Sequence, residues 1–269
     1  MLMIVVINTD QKLQSPMYFF LSHLSFVDIS YISVTIPKLM DIFITGNMRI
    51  SFIGCFVQLY FFTAMLSTEI ALLTAMAYDR FVAICKPLHY MLLMKKVNCV
   101  LLVVGSWIFG YGNSLFVTIF ASYLSFCGSK RINQVFCDIK VMTKISCGDR
   151  KGFETMIYTE VLLVGLCPFL LILMSYSQIV ANILKMHSKG KRQKVFSTCT
   201  AHLSVISMFY GALLCMYMRP PSENSEDLDQ IFALLYLVVT PTINPLIYSL
   251  RNKDIKVAMK KMMVRNHVT

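Results

Sequence analysis

Charge is what this sequence has least of. Only 14% of its 269 residues are charged against 57% hydrophobic, and the mean hydropathy is +0.64. A soluble domain carries about 25% charged residues. This chain has too few to clothe a globular surface, so its excess apolar surface faces lipid. Other absences narrow the reading. The nine cysteines follow no CxxC metal-binding spacing. No Asn-x-Ser/Thr glycosylation acceptor occurs, and no basic start followed by a small-residue cleavage site marks a signal peptide. Internal repeats and low-complexity tracts are lacking. That argues for one bundle domain over 1–269 and against a transporter built from matching halves. The net charge of +11 sits in short loops between apolar spans, so it reads as membrane orientation and not as nucleic-acid binding.

What is present is a set of long apolar runs. Six are complete, roughly 17–40, 55–76, 97–120, 155–184, 195–218 and 228–250. In lipid the backbone must satisfy its own polar groups, so each run is read as a helix. A seventh, 1–7, is a stub too short to span. Loop charges orient the bundle. The side holding Arg80 also collects Lys12, Lys86, Lys95, Lys96, the cluster from Lys185 to Lys194, and the tail cations from Arg251 to Arg265. It carries about twice the basic residues of the other side, which makes it cytoplasmic. The loop 123–153, with Cys127, Cys137 and Cys147, is then extracellular, as is the acidic loop holding Glu223, Glu226, Asp227 and Asp229.

The second span is the most informative. Between Cys55 and Met76 its only charge is Glu69, and an Asp79-Arg80 pair follows directly. A helix from Cys55 to Arg80 rises roughly 37 Å, enough to join an oxidising exterior to the cytosol. Glu69 and Arg80 stand about three turns apart and share the bundle-facing side, and Phe62, Leu66 and Glu69 share a face by their spacing. Asp28 and Glu69 lie near mid-membrane, where an ionisable side chain is costly and points to function. Glu160 is an acid within the outer half of a span, placed either to tune ligand choice or to pair with a loop lysine. In Asn244-Pro245-x-x-Tyr248 the proline removes a backbone bond and kinks an uncharged helix. After Asn252, Ile255, Met259, Met262 and Met263 gather on one side and Lys256, Lys260 and Lys261 largely on another. This is an amphipathic cytoplasmic helix over about 251–263, lying in the membrane interface.

Four blocks occur in order: Pro16-Met17-Tyr18-Phe19-Phe20-Leu21; Met76-Ala77-Tyr78-Asp79-Arg80-Phe81-Val82-Ala83-Ile84-Cys85; Lys194-Val195-Phe196-Ser197-Thr198-Cys199-Thr200-Ala201-His202-Leu203; and Pro241-Thr242-Ile243-Asn244-Pro245-Leu246-Ile247-Tyr248-Ser249-Leu250-Arg251-Asn252. Together they resemble the olfactory receptor branch of the rhodopsin-like (class A) G-protein-coupled receptors over nearly the whole chain. The resemblance implies an all-α, seven-transmembrane helix bundle in the plasma membrane, with the cysteine-bearing loop outside and the C-terminus in the cytoplasm. It implies a receptor for small volatile organic ligands that activates a heterotrimeric stimulatory G protein and raises cyclic AMP. No catalytic chemistry and no resident metal are expected.

Residue by residue, the resemblance assigns G-protein coupling and switching to Asp79, Arg80, Asn244, Pro245 and Tyr248. Ligand-pocket positions fall on Phe62, Thr63, Leu66, Ser67, Glu160 and Tyr210. Relatives that bind amines carry an aspartate where Phe62 stands, so a conventional biogenic-amine site is not expected. Asp28 and Glu69 lie on adjacent helices of such a fold. Two facing carboxylates either share a proton or bind a cation; the resemblance favours a sodium-type site with Asn244 beside it. Disulfides are implied between Cys55 and Cys137 and between Cys127 and Cys147, although spacing alone leaves three pairings open. The other five cysteines read as free thiols in the spans or at their cytosolic ends.

The family also carries a glycosylated extracellular tail and a complete first helix. The first helix is therefore expected to be incomplete, with 1–7 its remnant, and the chain as written is expected to be a truncated product that stays in the endoplasmic reticulum. The rival readings are a non-functional receptor fragment and a membrane transporter or channel whose ion path would use Asp28 and Glu69.

Overall fold

The computed structural model describes residues 2–10, 13–46, 50–126, 136–147, 151–217, 238–251 and 253–266. Its helices are α1 (Leu2–Thr9), α2 (Pro16–Thr45), α3 (Phe52–Cys85), α4 (Tyr90–Leu93), α5 (Lys96–Ser122), α6 (Ile139–Ile145), α7 (Lys151–Glu160), α8 (Cys167–Leu184), α9 (Lys189–Tyr217), α10 (Thr240–Arg251) and α11 (Lys253–Asn266). Two short strands, β1 (Ser125–Phe126) and β2 (Ser146–Cys147), pair antiparallel, Ser125 opposite Cys147 and Phe126 opposite Ser146.

Among the described residues, five helical segments are long and apolar enough to cross a membrane: Pro16–Thr45, Phe52–Cys85, Lys96–Ser122, Lys151–Leu184 and Cys199–Tyr217. The span expected over 228–250 is described only from residue 238. The rest of it, and the acidic loop before it, lie outside the described residues. The helices outrun the apolar stretches that mark them, because a helix stops where its end groups are satisfied and not where hydrophobicity fades. α2 continues to Gly46, whose left-handed φ of 67° closes its C-terminus by an N–H bond to the Ile42 carbonyl. α3 begins after Ser51, whose side chain accepts from the Gly54 N–H at 3.1 Å.

α3 is the axis of the bundle. α2, α5 and α8 all pack against it, and Leu59, Leu72, Leu73, Met76 and Val82 along it are fully buried. The seam between α3 and α5 is cut by small residues at every fourth position, Ser106, Gly110 and Ser114, all buried. At Gly110 a β-carbon would overlap the Thr68 hydroxyl oxygen and come within 2.7 Å of the Ala64 carbonyl. Ser114 donates across the seam to the Tyr60 carbonyl. Small side chains let two helices approach closely in lipid, where packing and hydrogen bonds hold helices together in place of the hydrophobic effect.

The span expected over 155–184 as one helix is three pieces. α7 passes through a π-helical turn, Val161–Leu166, into α8. Pro168 explains the change of register. It has no N–H to return to the Val164 carbonyl, and its ring crowds that position. The outer face of this segment exposes Leu162, Leu163, Leu170, Leu171, Leu173 and Met174, an apolar surface suited to lipid.

At the α3 N-terminal end a second apolar cluster gathers Leu59, Val117, Met142, Phe153 and Met156 around the Cys55–Cys137 disulfide. At the other end of the chain, α11 packs on α1 and α10. It turns Ile255 and Ala258 fully inward, Met259 and Met262 partly so, and leaves Lys256, Lys260 and Lys261 exposed. Its apolar side therefore covers neighbouring helices, whereas the amphipathic pattern alone suggests a membrane interface. The Met263 side chain lies outside the described residues. α1 buries Met3, Val6 and Ile7 against α2 and α11.

Candidate functional site

Successive turns of α3 carry the polar side chains of interest, and each meets a different neighbour. At the top, Cys55 is joined to Cys137, and Gln58 accepts the Cys137 backbone N–H at 2.9 Å. Together they press the following loop onto the helix. Cys147 is also disulfide-bonded; Cys127, the partner expected for it, lies outside the described residues. Cys85, Cys99, Cys167, Cys199 and Cys215 are free thiols.

One turn further down, the loop drops Phe136 onto Phe62, with ring centroids 5.1 Å apart. Tyr31 of α2 lies 5.2 Å away from the same ring. Phe62 and Thr63 are buried, and Leu66 is the more open residue on that face. Below them Asn113 of α5 donates to the Ser67 Oγ and to a Glu160 carboxylate oxygen, each at 3.0 Å. Ser67 and Glu160, separate positions in the sequence, are thus joined through a third residue. Among the described residues Glu160 takes a neutral amide as its partner, and no loop lysine; Lys130 lies outside them. Asn113 is missed from the sequence, although a carboxamide in the middle of an apolar run is a signal that could have flagged it. Tyr210 of α9 is buried with its ring 4.7 Å from that of Phe169 and 5.4 Å from that of Phe209. Its hydroxyl has no hydrogen-bond partner, so it is not tied to the Ser67–Asn113–Glu160 chain. A groove of about 660 Å³ opens between α3, α5 and α8 past Tyr78, Gly105 and Met174. None of the expected ligand residues lines it.

At mid-helix three buried polar side chains from α2, α3 and α10 converge. Asn244 donates to Asp28 at 3.1 Å and to Glu69 at 3.2 Å, and all three are nearly or fully excluded from solvent. Asp28 Oδ2 and Asn244 Oδ1 are buried without hydrogen-bond partners. Two orphaned oxygens among facing acids are a donor set suited to a hard cation. Pro245 sits inside α10 next to Asn244. Tyr248, one turn on, is buried with an unpartnered hydroxyl.

At the far end, Arg80 folds back on its neighbour. Its Nε and Nη2 donate to one Asp79 oxygen at 3.0 and 2.6 Å. The other Asp79 oxygen accepts from the Tyr90 hydroxyl at 2.9 Å. Burial, and then the Asp79 carboxylate beside it, hold the Tyr90 phenol well above its ordinary pKa, so at neutral pH it is a donor. Tyr90, brought round by the turn Pro87–His89, had no sequence signal beyond its place in the loop. Two further links bind the helices here. Tyr176 of α8 and His202 of α9 are hydrogen-bonded at 2.7 Å, and Asn182 of α8 meets the Cys85 thiol at 3.2 Å. His202 lies within one of the four blocks and could have been singled out there.

Residues 1–266 match the protein-family model described as olfactory receptor. Among curated proteins, the chain is 43% identical over 265 residues to olfactory receptor 2AJ1 of Homo sapiens, covering 98% of this chain and 81% of that protein. It is 46% identical over 263 residues to olfactory receptor 1f45 of Rattus norvegicus, covering 98% and 84%. It is 47% identical over 266 residues to olfactory receptor 13C9 of Homo sapiens, covering 97% and 84%.

Proposed function

The chain belongs to the olfactory receptor family, and we propose that it binds a small volatile ligand on the Cys55 side of the bundle and activates a stimulatory G protein at the Arg80 side. Membership makes it a multi-pass membrane receptor of the seven-helix rhodopsin-like fold, and not an enzyme. In the proposed topology the long cysteine-bearing loop is extracellular, and the C-terminus and the Arg80 end of α3 are cytoplasmic.

The pairing of Arg80 with Asp79, closed from the other side by Tyr90, is the observation that carries this reading. It is a resting state in which the arginine is held by its own helix. Ser67 lies roughly 20 Å from Arg80 by helix rise, so a ligand among Phe62, Thr63, Leu66, Ser67, Glu160 and Tyr210 acts on the pair at a distance. Such a ligand favours the active state only by binding it more tightly than the resting one. The Asp28, Glu69 and Asn244 cluster lies between the two sites. A sodium ion held there by Asp28, Glu69 and Asn244 would offset one of the two carboxylate charges, and a proton on the other acid would complete the balance. Movement of α10 about Pro245 would withdraw Asn244 from both carboxylates and carry Tyr248 toward Arg80. Freed from Asp79, Arg80 is then available to the G protein, and cyclic AMP rises.

The test is a panel of volatiles applied to cells carrying the full chain and a cyclic AMP reporter, with surface labelling in parallel. Arg80→Ala is expected to abolish the response and leave surface labelling unchanged. A normal response from Arg80→Ala, or a parent chain that stays inside the cell and is silent, would falsify the reading.

A further inference from the structure

Glu160 is an ionisable side chain within a membrane-crossing segment, and an acid in that position needs a partner. Among the described residues it forms no ion pair. Its single hydrogen bond comes from the Asn113 amide, to Oε2. That amide nitrogen has two hydrogens. Both are engaged, one on Glu160 and one on Ser67. Among the described residues no donor meets the second carboxylate oxygen of Glu160, while Asn113 holds the first.

The direction of presentation follows from α7. Glu160 shares a face with Phe153, Met156 and Ile157 before it and Val164 after it, all buried or half-buried, whereas Tyr158, Thr159, Val161 and Leu162 are exposed. The carboxylate thus points toward the bundle and not toward lipid, at the level of Ser67 on α3. The π turn begins at the next residue. Its wider register leaves the backbone beyond Glu160 out of step with a regular helix, and such turns recur at functional sites.

We propose that Glu160 is the counter-charge for a protonated amine, so that the ligands this receptor prefers are small organic amines. The ammonium donates to the free Glu160 oxygen, Asn113 steadies the other, and the hydrocarbon part lies among apolar side chains of the bundle. The ligand supplies the positive charge that no described residue supplies. A charge-assisted hydrogen bond is roughly twice as strong as a neutral one. An alcohol of the same carbon skeleton loses that difference. This inference deepens the ligand site proposed above and rests on it.

The experiment pairs each of several aliphatic amines with the alcohol of the same skeleton, on cells carrying the full chain and a cyclic AMP reporter, with surface amount measured throughout. The parent chain is expected to answer amines at concentrations at least tenfold lower than the matched alcohols. Glu160→Gln, which keeps the shape and the Asn113 bond and removes the charge, should erase that preference, and Glu160→Asp should retain it. An equal response to amine and alcohol in the parent overturns the inference, as does an amine preference that survives Glu160→Gln. If Glu160→Gln does not reach the surface, the parent's amine-against-alcohol comparison decides. A parent that answers alcohols but not amines sinks this inference and leaves the receptor reading standing, whereas silence to both sinks the two together.

Discussion

Tyr90 donates its phenolic hydrogen to Asp79 at 2.9 Å, on the oxygen that Arg80 leaves free. The fully buried Asp79 carboxylate is therefore satisfied from two sides, by the cation of its own helix and by a neutral donor from α4. In the proposed mechanism that arrangement makes the resting state more than a contact between adjacent residues. Releasing Arg80 leaves Asp79 with Tyr90 as a remaining partner, and losing Tyr90 weakens the hold before any ligand arrives.

Tyr90→Phe removes the hydroxyl and little else. A hydrogen bond to a charged acceptor contributes about 1.5 kcal/mol, which shifts a two-state balance roughly tenfold. Ligand-free cyclic AMP should rise by that order, with surface expression unchanged. Because the Tyr90 phenol is pushed above its ordinary pKa, it stays protonated across about pH 6 to 8, and the size of the effect should not change over that range. Basal signalling equal to that of the parent would show that Tyr90 does not hold the resting state.

The cluster at mid-helix yields a salt dependence. With a sodium ion among Asp28, Glu69 and Asn244, replacing external sodium by a bulky organic cation should raise basal activity or agonist potency several-fold. Asp28→Asn should remove that dependence. A parent chain indifferent to sodium would mean that the two acids share a proton and hold no ion.

Gly110 sets the distance between α3 and α5. A methyl group there meets Thr68 and the Ala64 backbone, and overpacking of this kind costs about 1–3 kcal/mol. Gly110→Ala should lower the melting temperature of the detergent-extracted protein. Gly105→Ala is the control on the same helix, since its added carbon meets nothing within 4 Å. An equal melting temperature for Gly110→Ala and the parent would mean the seam is looser than described.

Much of the bundle is legible in the chain because lipid imposes a simple rule. A run of apolar residues with no way to satisfy its backbone in water's absence becomes a helix. The stretch from Cys55 to Met76 needs no partner to be read that way. Adjacency is equally legible: Asp79 and Arg80 are neighbours at a helix end whatever surrounds them. The joins between helices are of another kind. That Asn113 binds both Ser67 and Glu160 depends on how α5 and α7 are rotated about their axes, and a lone carboxamide in an apolar run does not say which way it turns. The π turn is similar. Pro168 announces a disturbance, but the extra width of the preceding turn is decided only when the neighbouring helices have packed.

The sequence by itself determined that this protein is a membrane bundle and where the five spans seen among the described residues lie, since burial in lipid acts on each segment separately. Only the tertiary structure decided which polar groups meet. Asn244 lies 216 positions from Asp28 and 175 from Glu69 along the chain, and no local preference relates them. They come together because α2, α3 and α10 pack side by side in a medium that gives a polar group nothing else to bond.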